Sequence, residues 1–76
     1  MIERAVLAEE RGVDSVWTSE AWGSDAFTPL AAISERTTRI GLGTAIAQIA
    51  TRSPGATTMT ALTLQELSGG RLRLGL

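Results

Sequence analysis

The chain has 76 residues, of which 43% are hydrophobic, and seven basic residues nearly balance eight acidic ones. It contains no cysteine and no histidine, which excludes disulfide frameworks, thiolate metal sites and serine-histidine or cysteine-histidine catalysis within these residues. The charges do not cluster, so neither nucleic acid nor a membrane surface is favoured as a partner. The longest apolar run is too short to cross a bilayer.

Size and the start of the chain set two further expectations. A domain of this length buries only ~60% of the surface that its unfolded chain exposes, which leaves no room for a large catalytic core. Met1 is followed directly by the charged stretch "IERAVLAEERG", without the apolar region of a secretory signal. We therefore expect a cytoplasmic location.

The beginning of the chain predicts a helix followed by a strand. Residues 2–11 place their apolar side chains mainly on one side of a helix, and Gly12 is positioned to end that helix in the left-handed conformation. The stretch "VDSVWTSE", residues 13–20, contains the β-branched and aromatic residues that are typical of a strand.

A second helix is predicted from the stretch "SDAFTPLAAISERTTR". Thr28 is a suitable N-cap, and Pro29 suits the first helical position because the N–H that proline lacks has no partner there. Ser24 and Asp25 are also better explained as caps of this helix than as ligand contacts.

The second half of the chain predicts strand, helix and strand. The second strand is "IGLGTAIAQIAT", residues 40–51, and the third is "RLRLGL" at the end. Between them a third helix begins with Ser53 as cap and Pro54 in its first position. Gly69 and Gly70 look like a phosphate-binding loop, but they follow a helix instead of preceding one, so helix termination is favoured.

The order α-β-α-β-α-β predicts an α/β fold with a parallel sheet and right-handed crossovers. Because a three-stranded parallel sheet with two open edges is a poor independent fold, we interpret the chain as a fragment of a (β/α)8 TIM barrel, which takes roughly 250 residues. A flavodoxin-like or other doubly wound sheet is the alternative. Gly41 and Gly43 favour the barrel, since glycines in its narrow interior leave room for a neighbouring side chain or a ligand.

Three segments carry a resemblance: "VWTSEAWGSDAFTPL", "IGLGTAI" followed by "RSP", and "LSGGRLRLGL". In this order and spacing they resemble the luciferase-like monooxygenase superfamily, and within it the branch of oxidoreductases that use the deazaflavin coenzyme F-420 (F420). The resemblance implies that residues 1–76 are a partial luciferase-like domain, from helix 1 through strand 4 of the barrel. A truncated product is then expected instead of a complete enzyme.

The same resemblance implies a function for the longer parent protein, which would move a hydride between F420 and a small organic substrate. A luciferase-like monooxygenase that uses flavin mononucleotide (FMN) is one alternative. Another is an inactive half-barrel that only assembles with itself as a homo-oligomer. The short chain alone is expected to be inactive.

Candidate cofactor contacts follow the second strand, because the ligand of such a barrel lies at the carboxyl ends of its strands. They are Thr44, Ala45, Ile46 and Gln48. In several family members the matching strand end is a bulge that contains a cis peptide bond without proline, and the matching bond joins Ala45 to Ile46. We expect this bond to be cis or bulged in a complete barrel only, and residues 1–76 alone to have a trans bond or an irregular strand end.

Glu20 is the predicted catalytic residue, and an exposed acidic residue of a loop is the alternative. At the mouth of a barrel its carboxylate can hydrogen-bond the cofactor ring or, with a pKa raised by desolvation, transfer a proton. In related deazaflavin dehydrogenases a catalytic histidine follows the matching acidic residue, but Ala21 stands here, which argues against sugar-phosphate dehydrogenase chemistry. Trp22 is a candidate wall of the substrate pocket, although an aromatic side chain at the start of a loop more often serves packing. Arg52 suits the anionic tail of the cofactor, although an ion pair at the surface is the favoured interpretation.

Overall fold

In a computed structural model, which describes residues 1–21 and 23–76, helices and strands alternate along the chain. The elements are α1 (Ile2–Glu10), β1 (Ser15–Thr18), α2 (Phe27–Arg36), β2 (Gly41–Thr44), α3 (Pro54–Leu67) and β3 (Leu72–Arg73). The strands form one parallel sheet in the order β1-β2-β3, so the predicted α/β fold and its element order are confirmed. None of the helices in the described ranges has the length and apolar character that crossing a bilayer requires.

One face of the sheet packs against the helices. Leu42 of β2 is aligned with Val16 of β1 and with Leu72 of β3, so the three side chains share this face. They contact a core of buried apolar side chains that come from all three helices and from both ends of β2: Ala5, Phe27, Leu30, Ile33, Ile40, Ala47 and Leu64. Removal of this apolar surface from water is the main force that holds the helices on the sheet.

The other face of the sheet has two glycines beneath two large side chains. A Cβ atom on Gly43 would overlap the indole ring of Trp17, which is its aligned neighbour on β1. A Cβ atom on Gly41 would lie 3.0 Å from the guanidinium carbon of Arg73, whose side chain forms an ion pair with Asp14 (2.8 Å). The glycines therefore leave room for neighbouring side chains, as the sequence predicted.

The ends of α1 and α3 follow their sequence signals. The Ser53 side chain accepts a hydrogen bond from the Ala56 N–H, and Pro54 is the first residue of α3. Gly12 and Gly69, which follow α1 and α3, both have the positive φ of the left-handed conformation. Helix termination, and not phosphate binding, thus explains the glycine after α3.

The start of α2 differs from the prediction. The helix begins at Phe27, so Thr28 lies inside the first turn and is not the cap, and Pro29 is the third helical residue instead of the first. The Asp25 carboxylate accepts hydrogen bonds from the N–H groups of Phe27 (3.1 Å) and Thr28 (3.0 Å), which have no acceptor within the helix. The interpretation of Asp25 as a capping residue is therefore confirmed, and that of Thr28 is wrong.

The second strand is shorter than the predicted range of residues 40–51. It ends at Thr44, which is aligned with Thr18, the last residue of β1, so pairing on this side stops there. A single 3₁₀ turn, Ile49–Thr51, follows within the range that was predicted to be extended.

The peptide bond between Ala45 and Ile46 is cis. This contradicts the expectation that only a complete barrel would have it in that form. The expectation assumed that the segment lacks support in these residues alone. Instead, the Ala45 N–H donates to the Thr18 carbonyl (2.6 Å) and the Ala47 N–H to the Gly75 carbonyl (2.8 Å).

At the amino ends of the strands, a carboxylate of α1 holds the turn that precedes β2. Glu9 accepts hydrogen bonds from the N–H groups of Thr38 (3.0 Å), Arg39 (2.6 Å) and Ile40 (2.8 Å). These bonds, with that of Arg39 the largest contribution, lower the pKa of Glu9. They explain why an acidic residue stands on the otherwise apolar side of α1.

Replacing Gly43 with alanine should destabilise the fold by about 1 to 3 kcal/mol, as overpacking does, because the new methyl group must displace the Trp17 indole. Urea denaturation followed by circular dichroism measures the change in the free energy of unfolding. Gly55→Ala is the matched control, since its methyl group would meet only Ser53 Oγ at 4.0 Å and alanine favours the helix. Equal stability of Gly43→Ala and wild type would contradict this account of β2.

Candidate functional site at the carboxyl ends of the strands

The residues that follow β1 and β2 lie side by side, because parallel strands end at the same edge of a sheet. They surround an open depression of about 730 Å³. Its described lining residues are Glu20, Ala21, Gly23, Ser24, Asp25, Gln48, Thr51 and Arg52. A groove of about 330 Å³ between α2 and α3 is lined by apolar and threonine side chains only. Because its lining includes charged and amide side chains, the depression at the strand ends is the better candidate for the functional site.

The carboxylate of Glu20 receives four hydrogen bonds. Its Oε1 atom accepts from the Gln48 N–H (2.7 Å) and from Nη1 of Arg52 (2.7 Å). Its Oε2 atom accepts from the Ala26 N–H (3.1 Å) and from Nη2 of Arg52. One side chain thus joins the end of β1, the start of α2 and the segment that follows β2.

The guanidinium of Arg52 pairs with Glu20 through both terminal nitrogens, a geometry that gives strong and directional ion pairs. Its carbon lies 4.7 Å from the centroid of the Phe27 ring, and Nη2 lies 3.9 Å from the Asp25 carboxylate. Only 17% of the Arg52 side chain and 8% of the Glu20 side chain are exposed. The interpretation of Arg52 as an ion-pairing residue is confirmed, but the pair is more buried than an ordinary surface pair.

This pairing determines the charge of Glu20. Hydrogen bonds from Arg52, and next from the Gln48 N–H, lower the pKa of Glu20 from 4.5 to about 2, although desolvation opposes them. The bond to Glu20 in turn raises the pKa of Arg52. A proton-transfer role for Glu20 needs a raised pKa, so the structure does not support that form of the prediction. A hydrogen bond from Glu20 to a cofactor ring stays a prediction.

Thr44, a predicted cofactor contact, points its side chain into the protein. Its side chain is buried, with 1% exposed. The hydroxyl donates to the Gly75 carbonyl (2.8 Å) and accepts from the Gly75 N–H (2.9 Å), so both its functions are used within the chain. The Thr44 side chain therefore ties β2 to the segment after β3 and offers no free hydroxyl to a ligand.

Three of the other predicted site residues, Ala45, Ile46 and Gln48, are exposed at this edge, whereas Ala47 between them is fully buried. Their contact with a cofactor stays a prediction. Trp22, the predicted wall of the substrate pocket, lies outside the described residues. Nowhere in residues 1–21 and 23–76 do acidic side chains form a group that could hold a metal ion.

Sequence reasoning missed the partnership of Glu20 and Arg52, which are 32 positions apart. Neither a helical spacing nor a strand alternation connects them. A usable signal was present in the predicted topology, because an acidic and a basic residue follow consecutive strands of a parallel sheet. Such residues meet at one edge of the sheet, so their opposite charges indicate an ion pair there.

Alternating helices and parallel strands, with hydrogen-bonding side chains gathered where the strands end, form the repeating unit of an α/β barrel. The family model of luciferase-like monooxygenases matches residues 1–76, and the chain belongs to this family.

Relatives with curated names agree with this assignment. A Mycobacterium tuberculosis protein, provisionally named a coenzyme F420-dependent oxidoreductase, is 54% identical over 97% of this chain and 21% of its own length. A 5,10-methylenetetrahydromethanopterin reductase of Methanolobus tindarius is 37% identical over 95% of this chain and 22% of its own. An F420-dependent glucose-6-phosphate dehydrogenase of Amycolatopsis mediterranei is 35% identical over 99% and 26%. The chain spans between 21% and 26% of these relatives, as a fragment of a larger barrel would.

The lowered pKa of Glu20 predicts a pH dependence of stability. Because the pKa is lower in the folded state, the stabilisation is fully present above the ordinary value of 4.5 and is lost as the pH falls from 4.5 towards 2. The difference in unfolding free energy between wild type and Glu20→Gln should therefore be constant above about pH 5 and shrink below it. Urea denaturation at pH 7, 5 and 3 measures this difference.

Glu35→Gln, on the exposed side of α2, is the matched control. It should differ from wild type by a small amount at every pH, as substitutions at exposed positions do. A difference between wild type and Glu20→Gln that is as large at pH 3 as at pH 7 would exclude the four-bonded carboxylate.

Proposed function

We propose that the protein carrying this chain is an oxidoreductase that transfers a hydride between coenzyme F420 and a small organic substrate. In this proposal residues 1–76 supply helix 1 through strand 4 of its (β/α)8 barrel. The observation that carries the proposal is the segment 45–48 at the carboxyl edge of the sheet, which exposes Ala45, Ile46 and Gln48 and is held by the backbone hydrogen bonds of Ala45 and Ala47. The names of the relatives, two of which include F420, support the choice of cofactor.

The chemistry of this segment fits a flat ring system. Residues 44–51 contain no charged side chain, and Ala45 and Ile46 present small or apolar groups, with 53% of Ile46 exposed. The N–H groups of Ala45 and Ala47 point back to the protein, so the backbone there is held in place. The exposed Gln48 amide can bond to polar atoms beside the ring.

When bound, F420 would supply the hydride chemistry, and the residues of this chain would hold and orient it. Ala45 and Ile46 would contact the ring, and Thr44 would support them from beneath through its bonds to Gly75. Trp22 remains the proposed wall of the substrate pocket.

A pair of isoleucines provides the test of the cofactor site. In the complete protein that carries these residues, Ile46→Ala should weaken F420 binding by roughly tenfold, as loss of a buried apolar contact does. Ile49→Ala is the matched control, because Ile49 is also exposed but lies in the 3₁₀ turn outside the proposed contact. Titration of the purified protein with F420, followed by quenching of the deazaflavin fluorescence, measures both constants.

The same protein titrated with FMN separates the two cofactors. Tight FMN binding without F420 binding would replace this proposal with a flavin-dependent monooxygenase of the same family. Equal F420 affinity of the Ile46→Ala and Ile49→Ala proteins would remove segment 45–48 from the cofactor site.

A second candidate concerns the 76-residue chain by itself, which we propose associates with copies of itself. Large apolar side chains are exposed along α3 and beside β3, including Leu62 (65%), Leu76 (57%) and Ile49 (71%). Apolar surface of this kind favours association. Within residues 1–21 and 23–76, the strands β1 and β3 are the edges of the sheet, and an edge strand can pair with another chain.

Sedimentation of the purified 76-residue chain should detect dimers or larger species at micromolar concentration. The same sample should turn over no substrate, because a closed ligand pocket buries most of its ligand and this depression is open. A monomer that binds F420 at micromolar concentration would contradict this expectation.

A further inference from the structure

The four-bonded carboxylate of Glu20 has a consequence for the segment that follows β2. We propose that Glu20 and Arg52 are positioning residues, which fix the backbone of residues 45–48 so that its exposed side chains meet the cofactor. In this proposal, which replaces the predicted hydrogen bond from Glu20 to the cofactor ring, Glu20 acts through the Gln48 N–H and does not itself touch the cofactor. The identity of the cofactor rests on the proposed function, whereas the positioning rests on the contacts of Glu20.

The coordination of Glu20 leaves no free face for a ligand. A carboxylate offers about four acceptor positions, and two N–H groups and two guanidinium nitrogens occupy four of them. The side chain is 8% exposed, so the donors enclose it. A cofactor could reach the oxygens only by displacing Arg52 or a backbone N–H.

The segment after β2 is tethered at three points, and Glu20 supplies the last. The Ala45 N–H is held by the Thr18 carbonyl and the Ala47 N–H by the Gly75 carbonyl. The Gln48 N–H is held by Glu20 at 2.7 Å. The first two tethers come from the backbone around the sheet, so a side-chain substitution can release only the third.

Arg52 makes this third tether directional. Its planar fork fixes the plane of the carboxylate, since both terminal nitrogens bond to it. The Phe27 ring beneath the guanidinium, with Asp25 at 3.9 Å, keeps the arginine over the start of α2. Lysine would keep the charge but not the fork, so Arg52→Lys should preserve only part of the positioning.

Amide hydrogen exchange of the complete protein, without cofactor, tests the tether directly. In Glu20→Gln the Gln48 amide should exchange at least about tenfold faster, and in Arg52→Lys by a smaller factor. The Ala47 amide, whose acceptor is a backbone carbonyl, should be unchanged. Asp14→Asn is the matched control, because it removes the negative charge of the exposed ion pair with Arg73 near the opposite end of the strands.

Cofactor titration and steady-state kinetics then separate positioning from chemistry. Glu20→Gln should raise the Kd for F420 by roughly tenfold, while kcat at saturating F420 stays within about twofold of wild type. Arg52→Gln should have the same effect, and the double variant should be no weaker than either single variant, because the two side chains act as one unit. Asp14→Asn should match wild type in both constants.

The contrary results overturn either the positioning proposal or the proposed function, and they can be told apart. Unchanged exchange of the Gln48 amide in both Glu20→Gln and Arg52→Gln would end the positioning proposal. A large fall in kcat at saturating F420 with unchanged exchange would also end it and would make Glu20 a catalytic residue. A wild-type protein that binds no F420 would overturn the proposed function, and the exchange rates would still decide the tether. If Glu20→Gln fails to fold, the two Arg52 variants provide the same comparison.

Discussion

The arrangement of the candidate site depends on one carboxylate. Glu20 stands just after β1 and bonds to Ala26, directly before α2, and to the segment after β2, so it connects the chain on both sides of β2. A neutral side chain could not satisfy four donors at once, and an unpaired carboxylate this poorly exposed would be costly. Arg52 offsets that cost because its positive charge and its two terminal nitrogens match the charge and the two oxygens of the Glu20 carboxylate. In the proposed positioning role, the local backbone structure depends on this ion pair.

The sheet itself is built on a second constraint, which is the absence of side chains at two positions of β2. Trp17 and Arg73 lie across Gly43 and Gly41, and Leu42 between the glycines points to the helices. In a parallel sheet covered on both faces, each strand usually carries apolar side chains on both sides. Here β2 carries them on one side only, and its neighbours cover the other. This division gives the sheet a helix-covered face and a face formed by long side chains from the flanking strands.

Signals within a few residues predicted the helices and strands. The ends of some elements and the Glu20–Arg52 pair depend on residues that are distant in the sequence. Ser53, Pro54 and Gly69 act within a few residues of themselves, so α3 was predicted correctly at both ends. The cap of α2 was misassigned because Thr28 and Asp25 are both suitable by composition, and only the first helical residue decides between them. The end of β2 could not be predicted from its own residues, since it coincides with the end of its partner β1. The pairing of Glu20 with Arg52 depends on topology and was invisible to any local pattern.

The electrostatics of the strand ends also limit where a proton could be handled. Hydrogen bonds from Arg52 and the backbone hold the pKa of Glu20 at about 2. Burial raises the pKa of Asp25, but hydrogen bonds from the N–H and hydroxyl of Thr28 and from the Phe27 N–H, together with the charge of Arg52, more than offset it, so its pKa is lowered as well. Both carboxylates among the described lining residues of the depression are thus ionised at neutral pH, and the sequence has no histidine. In the proposed hydride transfer, this edge would hold the ring, and any proton that accompanies the hydride would pass through groups outside it.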